Sequence, residues 1–328
     1  MKIIAYAVRA DEEAAFSRFA SELNLEVTTV AKSLSAKNVD LAKGYDGVCF
    51  LGNCNIDAEV LGALKIMGIK YLASRSAGYN NVDLISAAAN NIRFSNATYS
   101  PNCVSDFAIM LILMSIRKVK TMLKRNEAHD FSLAGLQGKE MHNLTFGIIG
   151  TGRIGAQTAR SLSGFGGKIL AYDLYPNKEL NTILNYVDLD TLFKQADVIT
   201  LHAPLTSDTK YLINSESLAK CKEGVVIVNC ARAELIDSQA LITAIDSGHV
   251  GAAALDVFAH EVGIVHHDLR MQLVNNHDLA ILQHHKNVII TPHSAFYTDQ
   301  AVSDMVEVAL KSLKAFFDTN ESPWEIKN

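Results

Sequence analysis

Short apolar stretches alternate with helical patterns along nearly the whole chain, and this alternation constrains the fold more than any other feature. Continuous apolar strands are typical of parallel sheets whose two faces are covered by helices. Such stretches recur through the first hundred residues and again through residues 144–291. The sequence therefore predicts an α/β fold with two doubly wound parallel sheets, each forming a Rossmann-like domain.

Length and composition narrow the class of protein further. The chain has 328 residues, more than one hydrophobic core usually serves, so we expect two domains. Hydrophobic residues make up 49% of the chain, which excludes wholesale disorder. The net charge of -5 argues against nucleic acid or an anionic membrane surface as the main partner.

The sequence also bears on location. The strongest apolar run, residues 107–116, has ten residues, whereas a helix that spans a bilayer needs roughly 20. The N-terminal segment predicts a first strand rather than a signal peptide. Five cysteines without a C-x-x-C pair argue against a disulfide scaffold or a zinc ribbon. These features predict a cytoplasmic protein that does not enter a membrane.

A segment of different character joins the two series of strands. Ser100 and Pro101 are typical of a helix start, with serine as the N-cap and proline in the first helical position. Apolar residues then recur at helical spacing as far as Leu123, and lysines and arginines gather near the end. The pattern predicts one helix of about 35 Å. Its apolar first half favours burial against both domains or a second subunit.

One stretch reads F-G-I-I-G-T-G-R-I-G and contains the pattern G-x-G-x-x-G. It leaves an apolar strand and enters a helical segment, which is the context in which this pattern binds a dinucleotide pyrophosphate. Gly150 would form the tight turn, Gly152 would let backbone N–H groups reach the phosphates, and Gly155 would let helix and strand close together. Arg153 and Ile154, inside the motif, are predicted cofactor contacts too.

An acidic residue ends the next predicted strand. Asp173 lies eighteen residues after Gly155, where a carboxylate can bind both hydroxyls of the adenine-side ribose. The same carboxylate would repel a 2′-phosphate, and the next three residues include no arginine to hold one. The sequence therefore predicts NAD rather than NADP as the cofactor.

Three polar residues follow three different predicted strands of the second series. Arg232, Glu261 and His293 each lie beyond the carboxyl end of a strand, the edge at which open α/β sheets bind ligands. Reduction of a carbonyl compound needs a cation for a substrate carboxylate, an acid that protonates the oxygen, and a group that tunes that acid. Arginine can hold a carboxylate with two parallel hydrogen bonds. These residues are the predicted catalytic set.

Several stretches together resemble the D-isomer-specific 2-hydroxyacid dehydrogenases over nearly the whole chain, and within them the D-lactate dehydrogenases, including the vancomycin-resistance type. The stretches that carry the resemblance are S-R-S-A-G-Y-N-N-V-D (74–83), Y-S-P-N-C-V-S-D-F-A (99–108), G-I-I-G-T-G-R-I-G (147–155), L-H-A-P-L-T (201–206), V-N-C-A-R-A-E-L-I-D (228–237), A-A-L-D-V-F-A-H-E (253–261) and T-P-H-S-A-F-Y-T-D-Q-A-V (291–302). The resemblance implies a NAD-dependent reductase of 2-oxo acids, with pyruvate and D-lactate as the first expectation.

The resemblance also assigns parts to residues. Arg232 matches the arginine that binds and polarises the 2-oxo acid, Glu261 the acid that hydrogen-bonds the catalytic histidine, and His293 the proton donor. The remaining predicted substrate contacts are the backbone amides of Ala77 and Gly78 and the side chains of Tyr99 and Phe296. The remaining predicted cofactor contacts are His202, Pro204, Cys230, Ala231 and Asp256.

Family architecture implies a discontinuous domain arrangement. A flavodoxin-like substrate domain is expected over residues 1–99 and 299–328, and a NAD-binding Rossmann domain over residues 100–298. The last helix would then return to the first domain. The resemblance, with the apolar helix after Pro101, also predicts a homodimer.

The sequence also leaves other substrates and functions open. Leu133 stands where many D-lactate dehydrogenases have tryptophan, and Phe296 stands where many have tyrosine. Larger 2-oxo acids such as 2-oxoisocaproate or phenylpyruvate are therefore the main alternative. A NAD-sensing co-repressor and a dehydrogenase of phosphorylated acids such as 3-phosphoglycerate are further alternatives. For the last, Arg75 is the one obvious phosphate ligand.

Two histidine-rich pairs raise the question of a metal. The segments 266–268 and 284–285 read H-H-D and H-H, but side chains of adjacent residues usually diverge. We therefore expect solvated loops and no metal site.

Overall fold

A computed structural model describes residues 1–327 and divides the chain into two compact units. One consists of residues 1–100 with the segment from Tyr297 onward, and the other of Pro101–Phe296. These boundaries lie within two residues of the predicted ones. The last helix belongs to the first unit, as the resemblance implies.

The first unit contains a five-stranded parallel sheet in the order β2-β1-β3-β4-β5, which is the flavodoxin-like order. Its strands are β1 (Lys2–Tyr6), β2 (Glu26–Val30), β3 (Gly47–Phe50), β4 (Tyr71–Ser74) and β5 (Arg93–Ser95). Its helices are α1 (Glu13–Glu22), α2 (Ala58–Ile66), α3 (Leu84–Ala89) and α11 (Asp299–Thr319). Every residue of β3 is buried, as expected for a strand covered on both faces.

The second unit contains a seven-stranded parallel sheet in the order β12-β11-β10-β9-β6-β7-β8. Its strands are β6 (Thr145–Ile149), β7 (Lys168–Tyr172), β8 (Asn185–Tyr186), β9 (Val198–Leu201), β10 (Val225–Asn229), β11 (Val250–Leu255) and β12 (Val288–Ile290). The strand order reverses beside β6, which makes the carboxyl end of β6 a topological switch point where such sheets bind ligands.

Seven helices accompany this sheet. They are α4 (Asn102–Ile116), α5 (Val119–Glu127), α6 (Arg153–Ser163), α7 (Leu189–Gln195), α8 (Ser215–Lys220), α9 (Ser238–Asp246) and α10 (His277–His284). The fold class predicted from the sequence is therefore confirmed. No helix within residues 1–327 is long and apolar enough to cross a membrane.

The prediction of one long helix after Pro101 was wrong. Helix α4 ends at Ile116, and α5 begins at Val119 after Lys118 adopts a left-handed backbone with φ of 54°. The carbonyl of Ile116 accepts a hydrogen bond from the N–H of Lys139, a partner distant in sequence. Because Arg117 and Lys118 are good helix formers, no local signal marks this break.

The sequence also missed β8. This strand has only two residues and pairs with β7 at the edge of the sheet. A two-residue strand is too short to show any hydrophobic period, so its presence depends on the sheet beside it.

Candidate active site

The glycine-rich turn after β6 has the backbone that its pattern requires. Gly150 has φ of 91°, and a Cβ there would lie 2.6 Å from the backbone nitrogen of Ala203. A Cβ on Gly155 would overlap the carbonyl oxygen of Gly150. A Cβ on Gly152, in contrast, would meet nothing within 4 Å, so open space lies over the N-terminus of α6. This turn fits a dinucleotide pyrophosphate, because backbone N–H groups at a helix start face that space.

Asp173, just beyond the end of β7, is tied to this turn. Its Oδ2 accepts hydrogen bonds from the backbone N–H of Thr151 at 2.5 Å and from the Thr151 hydroxyl at 3.0 Å. Its Oδ1 accepts from the N–H of Tyr175 at 2.8 Å. The carboxylate is therefore held in one orientation beside the glycine turn. This placement fits the predicted contact with the ribose of NAD.

The turn after β10 carries Arg232. Asn229, fully buried, accepts from the N–H of Ala231 at 2.9 Å and donates to the carbonyl of Arg232 at 2.8 Å. The guanidinium of Arg232 is partly exposed and donates through Nη1 to the carbonyl of Ala231 at 2.7 Å. Asn229 thus fixes the shape of the turn that carries Arg232. The sequence did not predict this role.

His293 and Glu261 form a close pair. Nδ1 of His293 donates to Oε1 of Glu261 at 2.6 Å, and the other oxygen of Glu261 accepts from the N–H of Phe258 at 3.2 Å. A carboxylate can only accept here, so this bond fixes the proton on Nδ1 when the imidazole is neutral. Nε2 is left as the atom that can exchange a proton with a substrate oxygen. The imidazole is about one-third exposed.

A second carboxylate holds the loop that carries the histidine. Asp256 is buried, and its carboxylate accepts from the hydroxyl of Thr291 at 2.6 Å, the N–H of Ser294 at 2.9 Å and the N–H of Ala295 at 2.8 Å. His293 has a left-handed backbone with φ of 54°, a conformation that costs energy in a non-glycine residue. The bonds to Asp256 stabilise this conformation and place the imidazole.

His266 lies in an exposed, irregular loop, as the sequence predicts, and it also makes a contact that the sequence did not predict. Its side chain is exposed, but its Nε2 donates to the carbonyl of His293 at 3.0 Å. Its ring centroid lies 6.2 Å from that of His293 and 6.1 Å from that of Phe296. The contact spans 27 residues of sequence and depends on the fold of an irregular loop. No spacing rule could have found it. Within residues 1–327, no group of three or more potential metal ligands comes together.

Two other predicted cofactor contacts have perturbed ionisation. Burial lowers the pKa of His202 to about 4, and its Nε2 lies 3.0 Å from the hydroxyl of Thr200. His202 is therefore neutral throughout the physiological range. Burial, with the nearby charge of Asp256, raises the pKa of the Cys230 thiol well above its ordinary value. Cys230 is thus a neutral, partly buried thiol. Pro204 is exposed in the turn after His202.

Comparison with known proteins identifies the family. Residues 109–295 match the model of the D-isomer specific 2-hydroxyacid dehydrogenase, NAD binding domain. The chain belongs to the D-isomer-specific 2-hydroxyacid dehydrogenase family. It is accordingly an NAD-dependent oxidoreductase.

Individual relatives extend this likeness over the whole chain. The chain is 46% identical to the aromatic 2-oxoacid reductase of Clostridium sporogenes, with 96% of both chains covered. It is 41% identical to the D-lactate dehydrogenase of Lactiplantibacillus plantarum, over 100% of this chain and 99% of that one. The solved structure of a D-2-hydroxyisocaproate dehydrogenase superposes with a TM-score of 0.92 at 33% identity, with both chains fully covered.

The remaining predicted site residues of this dehydrogenase lie in the first unit. Ala77 and Gly78 are in the loop after β4, and Tyr99 is in the segment after β5. Arg75, the one candidate for a substrate phosphate, is fully buried, and its Nε donates to Glu12 at 2.8 Å. An arginine that is buried and paired cannot serve a phosphorylated substrate. The one residue that favoured a dehydrogenase of phosphorylated acids is therefore unable to bind a substrate phosphate.

The orientation of Asp173 leads to a prediction on cofactor choice. Asp173→Ala removes both the proposed ribose contact and the repulsion of a 2′-phosphate, so the preference for NADH over NADPH should fall at least ~10-fold, or about 1.4 kcal/mol. The measurement is kcat/KM with each cofactor. Asp188→Ala is a matched control, because Asp188 also bonds the N–H and hydroxyl of one threonine, Thr191. A preference that is unchanged in Asp173→Ala would show that another residue selects the cofactor.

Proposed function

We propose that this protein reduces 2-oxo acids to D-2-hydroxy acids with NADH, and that pyruvate is its substrate and D-lactate its product. The proposal rests above all on the 2.6 Å bond between His293 and Glu261 in a chain of the NAD-dependent family. That bond fixes the tautomer of the imidazole and leaves Nε2 for proton transfer, and Arg232 follows the end of another strand, β10, of the same sheet. The choice of pyruvate and D-lactate is supported by the relatives that are named D-lactate dehydrogenases.

The proposed chemistry assigns a separate task to each side chain. The bound cofactor supplies the hydride that adds to the carbonyl carbon. Arg232 binds the carboxylate and polarises the carbonyl, because its guanidinium can offer two parallel N–H donors. Protonated His293 donates its Nε2 proton to the carbonyl oxygen as negative charge develops there. Glu261 is ionised and stabilises the imidazolium, and in the reverse reaction neutral His293 accepts the proton from the hydroxyl group.

A second substrate class has specific support. The aromatic 2-oxoacid reductase shares 46% identity with this chain, more than the D-lactate dehydrogenase does. The ring of Phe296 lies edge-on to His293 with a centroid distance of 6.5 Å, and an apolar ring near the proton donor suits an apolar substrate side chain. Phenylpyruvate and 2-oxoisocaproate are therefore the second candidates.

Steady-state kinetics with NADH and pyruvate, 2-oxoisocaproate, phenylpyruvate and oxaloacetate test the proposal. We expect the highest kcat/KM with pyruvate and the D-enantiomer of the product by chiral chromatography. A higher value with phenylpyruvate would assign the protein to the second class. Failure to oxidise NADH with any of the four would contradict the proposal, as would the L-enantiomer. A NAD-sensing binding protein would likewise oxidise no NADH with these acids.

We also propose a homodimer in the cytoplasm. The second unit has an apolar groove between α4, α5 and α6, lined by Met110, Leu113, Met114, Met122 and Phe165. Met110 and Phe165 are each about 40% exposed, and paired apolar faces of this kind stabilise two-fold dimers. All five cysteines are free thiols, which fits a reducing compartment. Light scattering at micromolar concentration should give twice the 35.7 kDa of one chain. A mass of one chain would refute the dimer.

A further inference from the structure

The loop after β4 has an unusual pattern of satisfied and unsatisfied backbone groups. Its three successive carbonyls, at Ser76, Ala77 and Gly78, each accept a hydrogen bond. The N–H groups of the same three peptide units, at Ala77, Gly78 and Tyr79, have no hydrogen-bond partner within residues 1–327. Backbone N–H groups without partners are an anion-binding feature when a ligand can reach them. Ala77 is exposed, and Gly78 is partly exposed.

The segment after β5 supplies two of the three donors. The N–H of Ala97 donates to the carbonyl of Ser76 at 3.1 Å, and Nδ2 of Asn96 donates to the carbonyl of Ala77 at 2.8 Å. No peptide bond in the described chain is cis. In a trans peptide the C=O and N–H point in opposite directions. Asn96 therefore directs the N–H of Gly78 away from itself, and Ala97 does the same for the N–H of Ala77.

Other bonds keep this loop rigid. The hydroxyl of Ser76 donates to the carbonyl of Gly78 at 2.8 Å and lies 2.6 Å from the hydroxyl of buried Ser74. Arg75, at the base of the loop, is fully buried, and its Nη2 donates to the carbonyls of Tyr6 and Ala7 at 3.0 and 3.1 Å. The loop is therefore organised before any ligand binds. Pre-organised donors bind a ligand without a further ordering cost.

We propose that Asn96 is a positioning residue for the substrate carboxylate. It fixes the peptide between Ala77 and Gly78 so that the N–H of Gly78 is available to that carboxylate. The inference rests on the proposed function, in which the backbone amides of Ala77 and Gly78 hold the carboxylate of the 2-oxo acid. In this inference Asn96 acts on the substrate through that peptide. Its hydrogen bond to the carbonyl of Ala77 is the contact through which it orients that peptide.

The test compares Asn96→Ala with a matched control, Asn90→Ala. Asn90 lies in the same unit, and its Nδ2 also donates to a backbone carbonyl, that of Ser86, at 2.8 Å. Each variant is assayed with NADH against pyruvate and against pyruvamide, which has the same ketone but no carboxylate. We expect Asn96→Ala to raise KM for pyruvate about 10-fold and to lower the preference for pyruvate over pyruvamide by a similar factor. Asn90→Ala should leave both unchanged.

A second variant separates positioning from loss of packing. Asn96→Leu has a similar size and no charge but cannot donate to a carbonyl, so it should lose the same preference while its melting temperature stays close to that of the parent. The NADH dissociation constant, measured by fluorescence, should be unchanged in all three variants, because the cofactor is proposed to bind the second unit.

The outcomes distinguish this inference from the function on which it rests. A parent protein that turns over pyruvate, with Asn96→Ala and Asn96→Leu retaining its KM and its preference for the carboxylate, would overturn the inference alone. A parent protein that reduces no 2-oxo acid would overturn the proposed function and this inference with it.

Discussion

His293→Ala should lower kcat for reduction of the 2-oxo acid by roughly 10²- to 10⁴-fold, the range for loss of a general acid. The imidazole is the group whose Nε2 can deliver the proton, since its Nδ1 is bonded to Glu261 at 2.6 Å. Alanine leaves the glycine turn and Asp173 untouched, so the NADH dissociation constant should change little. Stopped-flow kinetics and cofactor titration measure the two quantities separately.

The control for this substitution is another histidine of the second unit. His249 precedes β11 at the end of the strand opposite to Glu261, and its Nε2 lies 2.8 Å from the carbonyl of Leu218. His249→Ala should retain the kcat of the parent. A His293→Ala protein that keeps more than about a tenth of the parental kcat would mean that a different group donates the proton.

Arg232→Lys should raise KM for pyruvate and lower kcat together, with a combined loss of about 10²-fold in kcat/KM. Lysine keeps the positive charge but lacks the planar fork, so the substrate would be held by a point charge instead of two parallel bonds. A misplacement of about 1 Å at a reacting centre can cost 10²-fold in rate. Substrate held in the wrong orientation loses both binding and transition-state stabilisation.

The matched control is Arg160→Lys, an exposed arginine of α6 that lies 3.6 Å from Glu179. It should leave both constants unchanged, because exposed ion pairs contribute little. An Arg232→Lys protein in which only the affinity for NADH falls would place Arg232 at the cofactor instead of the substrate.

Local sequence patterns predicted the turns, strands and strand ends whose structure depends on neighbouring residues in the sequence. The turn at Gly150 needs a positive φ, and glycine adopts one readily. The buried strand β10 begins with four successive apolar residues because both of its faces are covered. The catalytic candidates Arg232, Glu261 and His293 were found because each follows a strand end, and strand ends of a parallel sheet meet at one edge.

The features that the sequence did not predict depend on distant partners. The helix break at Lys118 accompanies a hydrogen bond from the N–H of Lys139 to the carbonyl of Ile116. Asn229 and Asp256 stabilise turns through hydrogen bonds to the backbone. The geometry of these bonds depends on backbone conformations that no motif specifies. His266 meets His293 across an irregular loop. In each case the residue type is ordinary and the contact is a product of the folded chain.

The pH dependence of kcat/KM in Glu261→Gln tests the His293–Glu261 pair most directly. Reduction needs the protonated imidazole and should slow as pH rises, whereas oxidation of the hydroxy acid needs the neutral imidazole and should speed up. Glutamine keeps the shape of Glu261 but removes the charge that favours the imidazolium, so the descending limb of reduction should move to lower pH.

Two other imidazoles have to be distinguished from His293 in this profile. His202, with a pKa lowered to about 4 by burial, does not titrate in this range, and His266→Gln tests the ring that contacts His293. The account predicts that the limb moves in Glu261→Gln and stays in place in His266→Gln. An unmoved limb in Glu261→Gln, or no opposite limb for oxidation in the parent, would contradict the assignment of this pair as the acid–base centre.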